Sequence, residues 1–134
     1  MIMNVLVIVA HPDDEVLGMG GTILKHSTQG DIVTIAYLTT GIAARRSTNF
    51  RNATNYKITK KDKLEMKNQI RKLRKDAEKS CKILKVSKNV FFDLPDNEMD
   101  SVSSLEINKI IEKLVKENKP HRIYTSHYGD LNID

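Results

Sequence analysis

The sequence predicts an α/β protein: an open, mostly parallel sheet with helices on both faces. Three observations predict it. Residues 3–10 (MNVLVIVA) form a nearly continuous apolar, β-branched run, the pattern of a strand buried on both sides. Apolar residues then recur at helical spacing in three later segments, each reading as an amphipathic helix. Strand and helix patterns alternate along the chain, the order that builds parallel sheets with crossover helices.

The elements follow in order. After the first strand comes His11-Pro12-Asp13-Asp14-Glu15. Val16, Leu17, Gly20, Ile23 and Leu24 then recur at helical spacing, and Gly30 suits the helix end. Residues 31–40 (DIVTIAYLTT) read as a second strand. Residues 41–60 lack periodicity and are rich in Asn, Thr, Ser and Arg, so they read as a long loop of the kind that is usually functional or disordered. From about residue 61 to 84, Met66, Ile70, Leu73, Ala77, Cys81 and Leu84 make one apolar stripe. Cys81 lies on that stripe and reads as core, not as a nucleophile. Residues 90–93 (VFFD) are a short strand, and Leu94-Pro95-Asp96-Asn97 is a turn signal. Ser103 with Glu106 resembles a capping box. Ile107, Ile110, Ile111, Leu114 and Val115 form the third helical stripe, stopped by Lys119-Pro120. Residues 122–126 (RIYTS) read as a fourth strand.

A length of 134 residues suits a single domain spanning 1–134. Cys81 is the only cysteine, which excludes a disulfide framework. No apolar run approaches the ~20 residues that span a bilayer, and no signal-peptide pattern opens the chain. A cytoplasmic protein is the expectation. The net charge of +5 hides an asymmetry: residues 41–75 carry a balance of +10 and the remainder −5. That segment reads either as a solvated face or as a surface for an anionic partner.

In open α/β sheets, ligands sit outside the carboxyl ends of the strands. Two polar clusters fall at such ends, residues 11–15 and 127–134. A dinucleotide turn needs glycines, but this turn carries three carboxylates and no G-x-G-x-x-G pattern exists. Imidazole beside carboxylates suits a divalent cation, with a spare carboxylate as general base. Acids at a helix start equally suit capping and the helix dipole. Spacing alone leaves both readings open. His26, mid-helix, and His121, after Pro120, read as solvent-facing.

Residues 10–15 (AHPDDE), then Gly18-Met19-Gly20-Gly21-Thr22, resemble the LmbE-like (PIG-L) deacetylase family. Thr40-Gly41, Leu94-Pro95-Asp96 and the run DLNID at 130–134 support the resemblance. It implies a Rossmann-like fold and zinc-dependent removal of an N-acetyl group, typically from N-acetylglucosamine-containing conjugates. By resemblance His11 and Asp14 match two zinc ligands, and Asp13 matches the general base acting on the attacking water. Glu15 is expected in a supporting, capping role. Asp130, Asn132 and Asp134 match the second motif. In the family a His following the last of these supplies the third ligand, and Asn132 stands where many members carry another His. The chain stops one residue short of that ligand. A domain incomplete at its C-terminal end, doubtful in catalysis and prone to self-association, is therefore expected. His127 could replace the ligand only if the terminal loop folds back.

Arg45, Arg46 and Arg51 are candidate contacts for an anionic group on the substrate. A second class of reading is a non-catalytic binder of nucleic acid through residues 41–75. Only Phe50 and Tyr56 accompany those charges, so nucleic acid is the weaker expectation. A third is an inert remnant that binds no metal.

Overall fold

The computed structural model describes residues 1–42, 59–132 and 134. The long loop assigned to residues 41–60, and with it Arg45, Arg46 and Arg51, falls almost wholly outside the described residues. The elements are β1 (Asn4–Val9), α1 (Asp14–Thr28), β2 (Ile32–Thr39), α2 (Lys60–Ile83), β3 (Lys88–Leu94), a 3-10 turn (Met99–Ser101), α3 (Ser104–Asn118) and β4 (Arg122–Tyr124).

The four strands form one sheet in the order β3-β2-β1-β4. All three pairings are parallel, so the sheet is an α/β open sheet as the sequence predicts. Parallel neighbours need crossovers, and the helices supply them on both faces. Ile23 of α1 with Ala77 and Cys81 of α2 packs against Val5, Val7, Val33, Ile35 and Tyr37 on one face. Leu114 of α3, flanked by Ile107, Ile110, Ile111 and Val115, packs against Leu6, Ile8, Ala36 and Leu38 on the other. Alternate residues of β1 thus enter opposite layers, which is why the whole strand is apolar.

Three expectations are corrected. Of the expected apolar stripe of α1, Ile23 is buried, but Val16, Leu17 and Leu24 are exposed, and Glu15 and His26 are buried in their place. The helix is rotated because its inward stripe includes polar residues that periodicity counting discards. His26 is buried rather than solvent-facing: its imidazole pairs with Asp31 and Tyr124. Ser103 caps α3 through the Leu105 N–H, while the reciprocal capping box forms at α2, between Thr59 and Asp62. Cys81 is core as expected, and burial pushes its thiol pKa up.

The order of strands reverses between β1 and β4, since α1 leads from β1 to β2 on one side while β4 lies on the other. The carboxyl ends of β1 and β4 therefore open a crevice, the place where such sheets bind ligands.

Candidate functional site

At the end of β1 the backbone turns sharply. The His11 carbonyl accepts the N–H groups of Asp13 and Asp14, and Asp13 takes the N-cap position of α1. Gly41 makes this turn feasible from behind. Its φ is +68°, and a Cβ there would meet Pro12 Cδ at 3.3 Å, so only glycine fits without strain. Thr39 secures the same corner by donating its hydroxyl to the Ala10 carbonyl at 3.1 Å and to Asp96 Oδ1 at 3.4 Å.

His11 sits at the centre of the site with acids on both sides of its ring. On the Nδ1 side, Asp14 Oδ2 lies at 3.4 Å and also accepts the His11 backbone N–H at 2.8 Å. On the other side, Nε2 lies 3.0 Å from both Asp96 Oδ1 and Asp134 Oδ2. The Asp96 and Asp134 side chains are fully buried. Asp134 also accepts the backbone N–H groups of Asn97 and Met99. Hydrogen bonding to Asp14 raises the His11 pKa most, against burial, with Asp134 and Asp96 adding to it; the result is about 9. Burial pushes Asp14 up, but the hydrogen bonds and charge of His11 outweigh it and hold the carboxyl below its usual range.

Asp134 reaches His11 along a ladder of side-chain turns. Asp130 Oδ1 accepts the Asn132 N–H at 3.1 Å, and Asn132 Oδ1 accepts the Asp134 N–H at 2.9 Å. Asp and Asn at alternate positions are the residues that make such turns. The second motif therefore does come to the first: Asp134 enters the site, while Asp130 and Asn132 stay exposed and brace it. His127 does not join; it is exposed and accepts the Gly129 N–H. Asp13 makes no side-chain capping hydrogen bond. Glu15 is not a cap either. It is 1% exposed, and burial pushes its pKa up beside the Tyr37 hydroxyl. Sequence reasoning missed Asp96 as a site residue. The signal was there: a Leu-Pro-Asp turn directly after a strand, at the carboxyl edge of the sheet.

The donor set fits a divalent cation. Among the described residues, His11, Asp96 and Asp134 offer ligand atoms within 4.8 Å of one another. Nδ1 of His11 and Asp14 Oδ2 form a second pair of donors, and their 3.4 Å separation matches the ~3.3 Å between tetrahedral ligands bound at ~2.0–2.1 Å. Beside the site, the crevice between β1 and β4 holds a cavity of about 490 Å³. Leu17, Met19 and Thr22 of α1 form one wall, and Tyr124, Thr125 and Ser126 the other. Met19 leaves helical geometry (φ −151°, ψ 21°) and kinks α1 at this wall. The described lining includes no Lys or Arg. No described helix is long and apolar enough to cross a membrane.

The chain resembles solved structures over most of its length. A diacetylchitobiose deacetylase from Pyrococcus horikoshii, complexed with an inhibitor, is 29% identical, with a TM-score of 0.66; the match covers 89% of this chain and 39% of that one. A teicoplanin deacetylase in a zinc-inhibited form is 19% identical (TM-score 0.62), covering 90% of this chain and 55% of that one. A 4-carboxy-2-hydroxymuconate hydratase from Pseudomonas putida is 21% identical (TM-score 0.67), covering 90% and 46%. The last two show the fold alone. The chain thus spans roughly half the length of these relatives or less. No curated protein sequence matches it. The family model for GlcNAc-PI de-N-acetylase matches residues 6–134. Since that match takes in nearly the whole chain, the chain belongs to the PIG-L (LmbE-like) family.

Proposed function

We propose a cation-dependent amide hydrolase that removes the N-acetyl group of an N-acetylglucosamine-type sugar conjugate. The observation that carries this reading is the His11 imidazole, flanked by Asp14 on one nitrogen and by buried Asp96 and Asp134 on the other, at the mouth of a cavity. His11 Nδ1 and Asp14 are the proposed ligands, as the family resemblance implies. Held by His11 and Asp14, a divalent ion, zinc in the first instance, would supply Lewis-acid chemistry: polarisation of the acetyl carbonyl and a lowered pKa for water.

The remaining roles belong to the chain. Asp96 and Asp134 accept the Nε2–H of His11, which fixes the ring tautomer and turns Nδ1 toward the ion. Asp13, at the N-cap beside Asp14, takes the proton of the attacking water. Asn132 offers an amide N–H to the oxygen on which negative charge develops, but it has no proton to transfer. The lining suits a pyranose in composition: apolar Leu17 and Met19 are available for its carbon skeleton, and Thr125 and Ser126 for its hydroxyls. Arg45, Arg46 and Arg51 stay proposed contacts for an anionic group, since the described lining includes no Lys or Arg. A cytoplasmic setting is part of the same reading. Nucleic-acid binding through residues 41–75 is not favoured, since the family supports a hydrolase.

The test is acetate release from neutral and phosphorylated N-acetylglucosamine conjugates, with zinc, with cobalt and after chelation. Release that chelation stops and that Asp13→Asn abolishes, with ion binding retained, is the expected result. An ion-loaded chain that releases no acetate refutes the reading, and hydration chemistry on the same fold becomes the next assay. An Arg45/Arg46/Arg51→Ala triple variant should raise KM for the phosphorylated conjugate alone.

A further inference from the structure

A second cluster of titratable groups lies outside the site. His26, in the last turn of α1, places Nδ1 at 2.7 Å from Asp31 Oδ2 and Nε2 at 3.0 Å from the Tyr124 hydroxyl. Both the His26 and Asp31 side chains are at least nine-tenths buried. Asp31 Oδ1 accepts the Met3 N–H at 2.9 Å. Arg122 donates to the Tyr124 oxygen at 3.3 Å, so the hydroxyl proton is directed to His26 Nε2. Nδ1 then carries the ring proton and donates it to Asp31. The imidazole and tyrosine rings also meet, with centroids 5.7 Å apart. Every member is satisfied, and the chain of bonds runs from the start of β1 to the wall of the cavity.

We infer that His26 and Tyr124, with Asp31 fixing the His26 tautomer, are positioning residues for the site: the His26–Tyr124 bond anchors the end of β4, from which the return loop delivers Asp134 to His11. The inference rests on the proposed role of Asp134. Strand β4 pairs with β1 over only Arg122, Ile123 and Tyr124. Its first end is tied down separately, by His121 and Asn4 exchanging backbone and side-chain hydrogen bonds. Tyr124 is the last strand residue, and residues 125–132 are exposed, with hydrogen bonds among themselves and, through Asn132, to Asp134. The loop is thus held at its start by Tyr124 and at its end by Asp134. Moving the start moves the arc on which Asp134 must land.

The experiment is amide hydrogen exchange by NMR on the full chain without added metal. Asn97 and Met99 donate their N–H groups to Asp134, so their exchange rates report its seating from a distance. Tyr124→Phe removes only the hydroxyl. Asn mimics the Nδ1 position of His and Gln the Nε2 position, so His26→Asn breaks the Tyr124 bond and His26→Gln keeps it. Tyr124→Phe and His26→Asn are expected to speed exchange at Asn97 and Met99 about tenfold, with Val7 and Ile35 unchanged and His26→Gln near wild type. Unchanged rates at Asn97 and Met99 overturn the inference. So does equal acceleration at Val7 and Ile35, or in His26→Gln, because that is general loosening. Should Tyr124→Phe fail to fold, the two His26 variants decide alone. A parallel cobalt(II) titration separates the two claims: wild-type chain that binds no cobalt refutes the cation site, while the exchange pattern still judges the anchor.

Discussion

Replacing the acids around His11 one at a time locates the ion. Asp14 and the Asp96–Asp134 pair approach different nitrogens of one ring, so their loss should differ in size. A structural zinc site draws about 10–16 kcal/mol from four ligands, or about 2.5–4 kcal/mol each, which is roughly 10²–10³-fold in affinity. Asp14→Asn, as loss of a ligand, should therefore weaken binding by a few hundredfold. Asp96→Asn and Asp134→Asn each weaken a carboxylate that only orients the imidazole, a loss of about 10–100-fold. Asp134→Asn should fall at the upper end, since Asp134 also holds the Asn97 and Met99 amides. The assay is zinc titration by calorimetry on each variant, with circular dichroism confirming the fold. Asp14 must rank first. If Asp96→Asn or Asp134→Asn costs more than Asp14→Asn, the ion belongs on the Nε2 side, with His11, Asp96 and Asp134 as its ligands.

Other outcomes follow from the same geometry. The His11 pKa of about 9 in the ion-free chain lies above the ~6.5 of an unfolded His. The protonated ring therefore stabilises the fold fully below about pH 6.5 and loses that contribution as pH rises through about 9, worth roughly 1–2 kcal/mol after solvent screening. Urea midpoints in chelator at pH 6 and pH 9.5 should drop accordingly, and His11→Gln should flatten the difference. Gly41→Ala should cost about 1–2 kcal/mol, from its positive φ and the Pro12 contact, seen as a lower melting temperature and weaker zinc binding. Ile23→Ala, at a position 1% exposed, should cost about 2–5 kcal/mol in denaturant unfolding, through the cavity it leaves.

The layer architecture was legible because it rests on periodicity. The apolar run of β1 needs two buried faces, and the stripes of α2 and α3 supply cover for them. Residues 11–15 stood out as a polar cluster at the end of a buried strand, but spacing alone left a cation site and a helix cap both open. The inward face of α1 was not legible. Glu15 and His26 are polar residues that face in, and their partners Tyr37, Asp31 and Tyr124 lie on other elements. The long-range partner of each is invisible to a local pattern.

Composition and local order by themselves determined the α/β class and the approximate bounds of each element, while the roles proposed for His11, Asp13 and Asp14 come from the family resemblance. The class and the bounds depend on spacing of a few residues, and that is written into the chain. Only the tertiary structure decided which acids meet His11. Asp96 and Asp134 lie 85 and 123 residues from it along the chain, and they reach it because parallel pairing brings the carboxyl ends of β1, β3 and β4 to one edge. The strand order β3-β2-β1-β4 decided where the cavity opens. Strand order arises from packing summed over the whole sheet, and no single segment of the sequence encodes it.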